Sequence, residues 1–181
     1  MKRLLLIVIG FGMVLSASSQ FTKAELQATG LTCAMCSNAI NKAVSALPYV
    51  ESVTSDIKNS SFNIAFKDDA KASIDGLRQA VEEAGFSVGS LKVTGNLTGV
   101  QVKNEAPVKI GDQVFAFLKT KDQVLTGETT LQVVDKGFVT EKEFKKLRSA
   151  IKRESLQTGK ADQQAVKQGV PEGTRIYHVT I

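Results

Sequence analysis

Gly30-Leu31-Thr32-Cys33-Ala34-Met35-Cys36 stands between two hydrophobic rhythms, and the change of rhythm across it sets the fold. Before it, Ala24, Leu26 and Ala28 alternate with polar residues, which predicts a half-buried strand ended by Gly30. After it, Ile40, Ala43, Val44 and Leu47 recur at helical spacing until Pro48 closes the stretch. Val53, Ser55 and Ile57 then alternate, Asn59-Ser60-Ser61 supplies a turn, and Phe62, Ile64 and Phe66 alternate again, which predicts a hairpin. Ile74, Leu77, Val81 and Ala84 form a second helical stripe, with Ser73 placed to cap its start and Gly85 to end it. A final strand is expected over about 87–93. Strand, helix, strand, strand, helix, strand is the βαββαβ order of a ferredoxin-like domain.

The motif places Cys36 at or near the start of the first helix, where unpaired N–H groups and the helix dipole favour the anionic form of a thiol. With two residues between them, Cys33 and Cys36 can point at one site. Two thiolates suit a soft, low-coordinate ion such as Cu(I), whereas Zn(II) normally asks for four ligands. Past the N-terminal segment the chain has one further soft thioether, Met35, and one imidazole, His178. Two other readings of the pair stand beside metal binding. One is a thiol-disulfide redox pair at a helix start, against which no Trp or Pro adjoins the motif and the strand order is wrong for a thioredoxin-like fold. The other is a plain disulfide, which across so short a loop adds little stability.

At these residues the chain resembles the heavy-metal-associated domain family, which includes copper chaperones, N-terminal domains of metal-transporting ATPases and a periplasmic mercury-binding protein. The family signature, Gly-Met-Thr-Cys-x-x-Cys in a βαββαβ domain, is matched here with Leu31 in place of Met, and the resemblance spans residues 22–93. It implies Cys33 and Cys36 as the metal ligands, and a metal-transporting ATPase or another metal-binding protein as the partner that receives the ion. Phe86 falls where family members carry an aromatic residue or Lys beside the metal loop, and core packing is an equal claim on it. Zinc and cadmium members often have Asp before the first Cys. Thr32 at that point favours Cu(I), with Hg(II) the alternative, and the stretch Phe66-Lys67-Asp68-Asp69-Ala70-Lys71-Ala72-Ser73 is similar to the mercury-binding protein.

The start of the chain reads differently. Lys2 and Arg3 precede an apolar run from Leu4 to Leu15, followed by Ser16, Ala17, Ser18 and Ser19. That is the order of a secretory signal peptide over residues 1–19, with an uncleaved N-terminal membrane anchor as the alternative. The expected mature protein is therefore secreted or periplasmic. The chain has 181 residues, 23 Lys and Arg against 18 Asp and Glu, and a formal charge of +5. Residues 20–95 hold seven basic and eight acidic side chains, and residues 96–181 hold fourteen and ten, so the basic excess lies in the second half. Two cysteines are too few for a disulfide framework.

Thr94-Gly95-Asn96-Leu97-Thr98-Gly99 is the expected boundary between a ferredoxin-like domain over 20–94 and a small, mainly β domain over 95–181. Strand patterns surround Val100 and Val102, Val114 to Leu118, Leu131 to Val134, and Ile176 to Ile181. A helix over 140–155 opens with a capping box at Thr140-Glu141-Lys142-Glu143 and buries Phe144, Leu147 and Ile151. Five strands and one helix suggest an OB-like barrel. The α+β chain is thus expected to be two domains, with 157–173 as loop.

The helix also carries Lys142, Lys145, Lys146, Arg148, Lys152 and Arg153. Export and the interleaved Glu141, Glu143 and Glu154 argue against nucleic acid, and leave a solvated face, an acidic partner or a membrane-associated complex. A second His, a Ser-His-Asp set and a glycine-rich phosphate loop are not legible, so no catalytic residue is expected and the protein is not expected to be an enzyme. His178, in an alternating terminal strand, is expected to be structural or exposed rather than a ligand.

Overall fold

The computed structural model describes residues 21–31 and 34–181. The expected signal peptide lies outside the described residues, as do Thr32 and Cys33. The first half is the expected ferredoxin-like unit: β1 (Phe21–Thr29), α1 (Ala34–Ser45), β2 (Val50–Asp56), β3 (Ser61–Phe66), α2 (Ile74–Glu83) and β4 (Ser87–Asn96). β1 lies between β3 and β4, antiparallel to both, and β2 pairs with the outer edge of β3. Alternation does the work: Ala24, Leu26 and Ala28 turn inward with Phe62, Ile64 and Phe66, while Lys23, Glu25 and Gln27 turn out. Ile40 and Val44 of α1 and Ile74, Leu77 and Val81 of α2 close over that inner face. Ser73 caps α2 by accepting from the Gly76 N–H at 3.0 Å, and the chain leaves the helix through Gly85 at φ 89°.

Gly76 also makes room for a neighbour. A Cβ there would sit 2.6 Å from the Tyr49 hydroxyl, which donates to the Ser73 carbonyl at 3.0 Å and so ties the segment before β2 to the start of α2. Burial pushes the Tyr49 pKa up to about 12, against a smaller opposing pull from its bond with Ser73.

The second half contains β5 (Gln101–Val102), β6 (Pro107–Ile110), β7 (Gln113–Phe117), β8 (Gln123–Val124), β9 (Glu128–Val133), α3 (Glu141–Ala150), α4 (Glu154–Thr158), α5 (Gln163–Lys167) and β10 (Ile176–Thr180). Here the OB-like expectation is corrected. Eight strands make one open sheet in the order β2-β3-β1-β4-β9-β10-β7-β6, and β5 and β8 form a separate pair. β9 pairs antiparallel with β4 from Leu91↔Val133 to Asn96↔Glu128, so the expected boundary at residues 94–99 begins inside a strand shared by both halves. The reason is physical: β4 has a second hydrogen-bonding edge, and β9 satisfies it. Alternation predicts that a segment is a strand, not which edge it will join.

One hydrophobic core runs beneath the whole sheet, from Ile40 and Leu77 through Leu91 and Val133 to Phe115, Tyr177 and Val179. Phe21 packs edge-on against Phe115 with ring centroids 5.6 Å apart, joining the first strand of one half to the centre of the other. On the opposite face, α3, α4 and α5 cover the second half, through Phe144, Ile151 and Leu156 packed on Leu118 and Val134, and Ala165 packed on Ala116 and Ile176. The helix expected over 140–155 is α3 followed by a break at Ile151–Arg153 and the short α4. Its capping box is formed as expected: Thr140 accepts from the Glu143 N–H, and the Glu143 carboxylate accepts from the Thr140 N–H at 3.1 Å. The stretch expected as loop contains α5 and part of α4. No helix among the described residues is long and apolar enough to cross a membrane.

Candidate metal centre

β1 ends at Thr29, and Gly30 turns the chain with φ 83°, a conformation that favours glycine even though open space surrounds it. Leu31 then packs half-buried against the core. Cys36 is the third residue of α1, in its first turn, and its side chain is partly exposed. Next to it Met35 stands 83% exposed, the most exposed large apolar side chain among the described residues. Ser37, at 4% exposure, and Ile40 hold the helix down. Asn41 of α1 donates to the Val53 carbonyl at 3.3 Å and to Ser55 Oγ at 2.9 Å, which fixes the helix against β2. One sequence-expected ligand, Cys36, is thus placed partly exposed in the first turn of a helix. The other, Cys33, lies outside the described residues. Phe86 packs on the core, as one of its two readings required.

Residues 25–87 match the family model for the heavy-metal-associated domain. This part of the chain is a heavy-metal-associated domain. Solved structures similar to it include the CopZ metallochaperone (22% identity, covering 37% of this chain and 98% of that one, TM-score 0.35). Oxidised MerP from Ralstonia metallidurans CH34 is 31% identical, covering 38% of this chain and 97% of that one, with a TM-score of 0.35. The N-terminal domain of a potential copper-translocating P-type ATPase from Bacillus subtilis, solved in its Cu(I)-loaded state, is 28% identical, covering 42% and 90%, with a TM-score of 0.35. Comparison with curated proteins gives no match.

Beyond the heavy-metal-associated domain, the second half holds a hydrogen-bonded set that the sequence did not reveal. His178 Nδ1 lies 2.7 Å from Asp135 Oδ1, and its Nε2 lies 3.1 Å from Ser155 Oγ. The expectation of no Ser-His-Asp set is therefore corrected. The three residues span 43 positions, from the bend after β9 through α4 to β10, and no local motif marks them. Their surroundings differ from those of a hydrolytic site. Ser155 and His178 have no solvent exposure, so a substrate carbonyl has no approach to the hydroxyl. Asp135 also accepts from the His178 N–H and from Arg175 Nη1 at 3.0 Å. The set is a satisfied buried network that fixes β10 to α4 and to the end of β9. His178 is structural, as expected.

Arg175 joins this network to the heavy-metal-associated domain. Its guanidinium donates to Asp75 Oδ2 in the first turn of α2 at 2.9 Å and lies 4.1 Å from the Tyr177 ring centroid. The Tyr177 hydroxyl donates to the same Asp75 oxygen at 2.8 Å. Burial alone pushes the Asp75 pKa up, but the bonds from Arg175 and Tyr177 outweigh it and hold the carboxyl below its ordinary range. Among the described residues no group of three His, Cys, Asp or Glu side chains is placed to hold a metal.

Proposed function

We propose that this protein binds one soft metal ion, Cu(I), between the thiolates of Cys33 and Cys36 and passes it by ligand exchange to a metal-transporting ATPase or another metal-binding protein. The observation that carries the reading is the position of Cys36, partly exposed in the first turn of α1 and flanked by an exposed Met35, in a chain segment matching the heavy-metal-associated domain. Ligand exchange needs such a place, because an incoming thiolate must reach the ion before the outgoing one leaves. Two thiolates with Thr32 rather than a carboxylate residue before the first of them suit a soft d¹⁰ ion better than Zn(II). The charged, apolar and small-residue order of residues 1–19 supports export, with the mature protein secreted or periplasmic.

The test is a competition. The reduced chain from residue 20 onward is titrated with Cu(I), Hg(II) and Zn(II), and again as Cys33→Ser and as Cys36→Ser. One Cu(I) per chain, held against Zn(II) and lost in both variants, is the expected result. Retention of Hg(II) over Cu(I) at matched free-ion concentrations would reassign the cargo. A chain that binds neither ion but cycles a Cys33–Cys36 disulfide at a potential typical of oxidoreductases would reassign the function to redox chemistry.

A further inference from the structure

The basic excess of the second half is concentrated in one segment. Residues 140–168 hold eight Lys and Arg against four Asp and Glu, which accounts for the whole excess of residues 96–181. This segment supplies α3, α4 and α5. Alternation in the strands beneath decides which face of the sheet it covers. Ala116, Leu118 and Ile176 pack with these helices, while their neighbours Phe115, Phe117 and Tyr177 belong to the core that α1 and α2 close. The basic segment and the helix bearing Cys36 therefore lie on opposite faces of one sheet.

Within α3 the spacing sorts charge by side. Phe144, Leu147 and Ile151 form the stripe that packs inward, so at about 100° per residue Lys142, Lys146 and Ser149 point away from the sheet and Glu141 and Glu143 fall on the flanks. Those two acids are engaged nearby, Glu141 with Lys145 at 3.2 Å and Glu143 in the capping box. Asp162 is taken by the buried Arg153 at 3.2 Å, which leaves Glu154 alone of the segment's acids. Lys142, Lys146, Arg148 and Lys152 are exposed and form no ion pair among the described residues. Elsewhere on the same face the charges cancel locally, Lys23 with Glu128 at 3.1 Å and Lys92 with Glu25 at 3.4 Å.

We propose that the lysine face of α3 rests on a membrane leaflet containing anionic phospholipid and holds the chain at that surface with α1 turned away from the bilayer. A lipid surface fits this face better than a protein does. Protein interfaces are poor in lysine and centre on aromatic or arginine anchors seated in pockets, and the exposed large apolar residues of the molecule are Met35, Ile57, Val124, Val166 and Ile181, none of them on α3. A leaflet of phosphate headgroups is instead a diffuse field of negative charge, which flexible lysines meet without a matching shape. The apolar stripe of α3 is spent on Leu118 and Val134, so the helix cannot insert and the attachment is electrostatic, reversible and weakened by salt.

The test is sedimentation of the reduced, metal-free chain from residue 20 onward with vesicles of phosphatidylglycerol and phosphatidylcholine in equal parts, and with vesicles of phosphatidylcholine alone. Because no metal is present, its outcome is separate from that of the metal-transfer reading. Binding is expected to the anionic vesicles only, and to fall as salt is raised. Each cation near an anionic surface adds about fivefold to the partition, so Lys142→Gln with Lys146→Gln should lose about 25-fold. The control pair Lys103→Gln with Lys121→Gln removes the same charge from exposed loops beside β5 and β8 and should lose less than about twofold, with folding of both pairs checked by thermal midpoint. A charged maleimide should label the cysteines of the vesicle-bound chain as fast as those in solution. Absence of binding to the anionic vesicles, or an equal loss in both pairs, would overturn the proposal. Protection of the cysteines on vesicles would overturn the orientation it assigns. Binding to polyglutamate but not to vesicles would overturn it in favour of an acidic protein partner.

Discussion

The two halves of this molecule use polar chemistry in opposite ways. In the heavy-metal-associated half the reactive residue that the structure places, Cys36, sits partly exposed at a helix start, and the interior beneath it is apolar. In the second half Asp135, Arg153, Ser155 and His178 are all sealed inside. A side chain's chemistry thus says less about its role than its access to solvent does. A Ser-His-Asp chain with no route to its hydroxyl holds strands and helices together, whereas the Cys36 side chain reaches the surface at a helix start.

The contrast breaks most visibly at Asp135. Asp135→Ala removes a carboxylate that serves both His178 and Arg175, and should cost about 2–3 kcal/mol in urea unfolding, because it leaves the buried His178 ring and backbone N–H without their acceptor while Arg175 keeps Asp75. Metal stoichiometry measured under folding conditions should be unchanged. A large loss of metal binding with little loss of stability would invert the assignment of roles.

Next in size is the effect of acid on the second half. Burial pushes the Asp162 carboxyl up, but the Ala165 N–H, Arg153 and Ser155 together outweigh it and bring its pKa down to about 2. The folded value lies below the unfolded one of 3.8, so the stabilisation is fully present above about pH 4 and is lost as pH falls toward 2. Asp162→Asn should flatten that part of the stability-against-pH curve by about 1–2 kcal/mol. An unchanged acid limb in the variant would contradict the assignment.

Smaller again is Ser155→Ala, expected to cost about 1 kcal/mol for the lost bond to His178. The wild-type serine should remain unlabelled by a fluorophosphonate that marks activated hydroxyls. Labelling at Ser155 would show that the network opens to solvent and would give the second half a chemistry of its own.

The shared sheet makes a further claim about the comparison, because one hydrophobic cluster runs through both halves. The chain has two tyrosines and no tryptophan, with Tyr49 in one half and Tyr177 in the other. Fluorescence of Tyr49→Phe and of Tyr177→Phe should therefore report coincident unfolding midpoints once each is corrected for the cost of its own substitution. Separate transitions would mean that the halves fold independently.

Much of the first half was legible because its signals are local. Ser73, Gly85 and the alternation of Phe62, Ile64 and Phe66 each act within one or two turns of chain, and the Gly30–Cys36 motif is contiguous. The capping box at Thr140 was legible for the same reason. The second half was misread where partners are remote. β7 pairs parallel with β10 across some sixty residues, and β9 chose the edge of β4 over a closed barrel. Asp75, Asp135 and Arg175 meet from three separated segments, each an ordinary surface-type residue in the sequence. β6 carries Pro107 and Lys109 at a sheet edge and offered too short an alternation to read.

The central claim is that the open end of the molecule carries the chemistry, through Cys33 and Cys36 alone. X-ray absorption at the copper edge of the Cu(I)-loaded full chain tests it most directly. The account predicts a first shell of two sulfurs, with no nitrogen or oxygen ligand, and loss of the signal in Cys33→Ser and in Cys36→Ser. A nitrogen or oxygen in that shell, or copper retained by either variant, would contradict it.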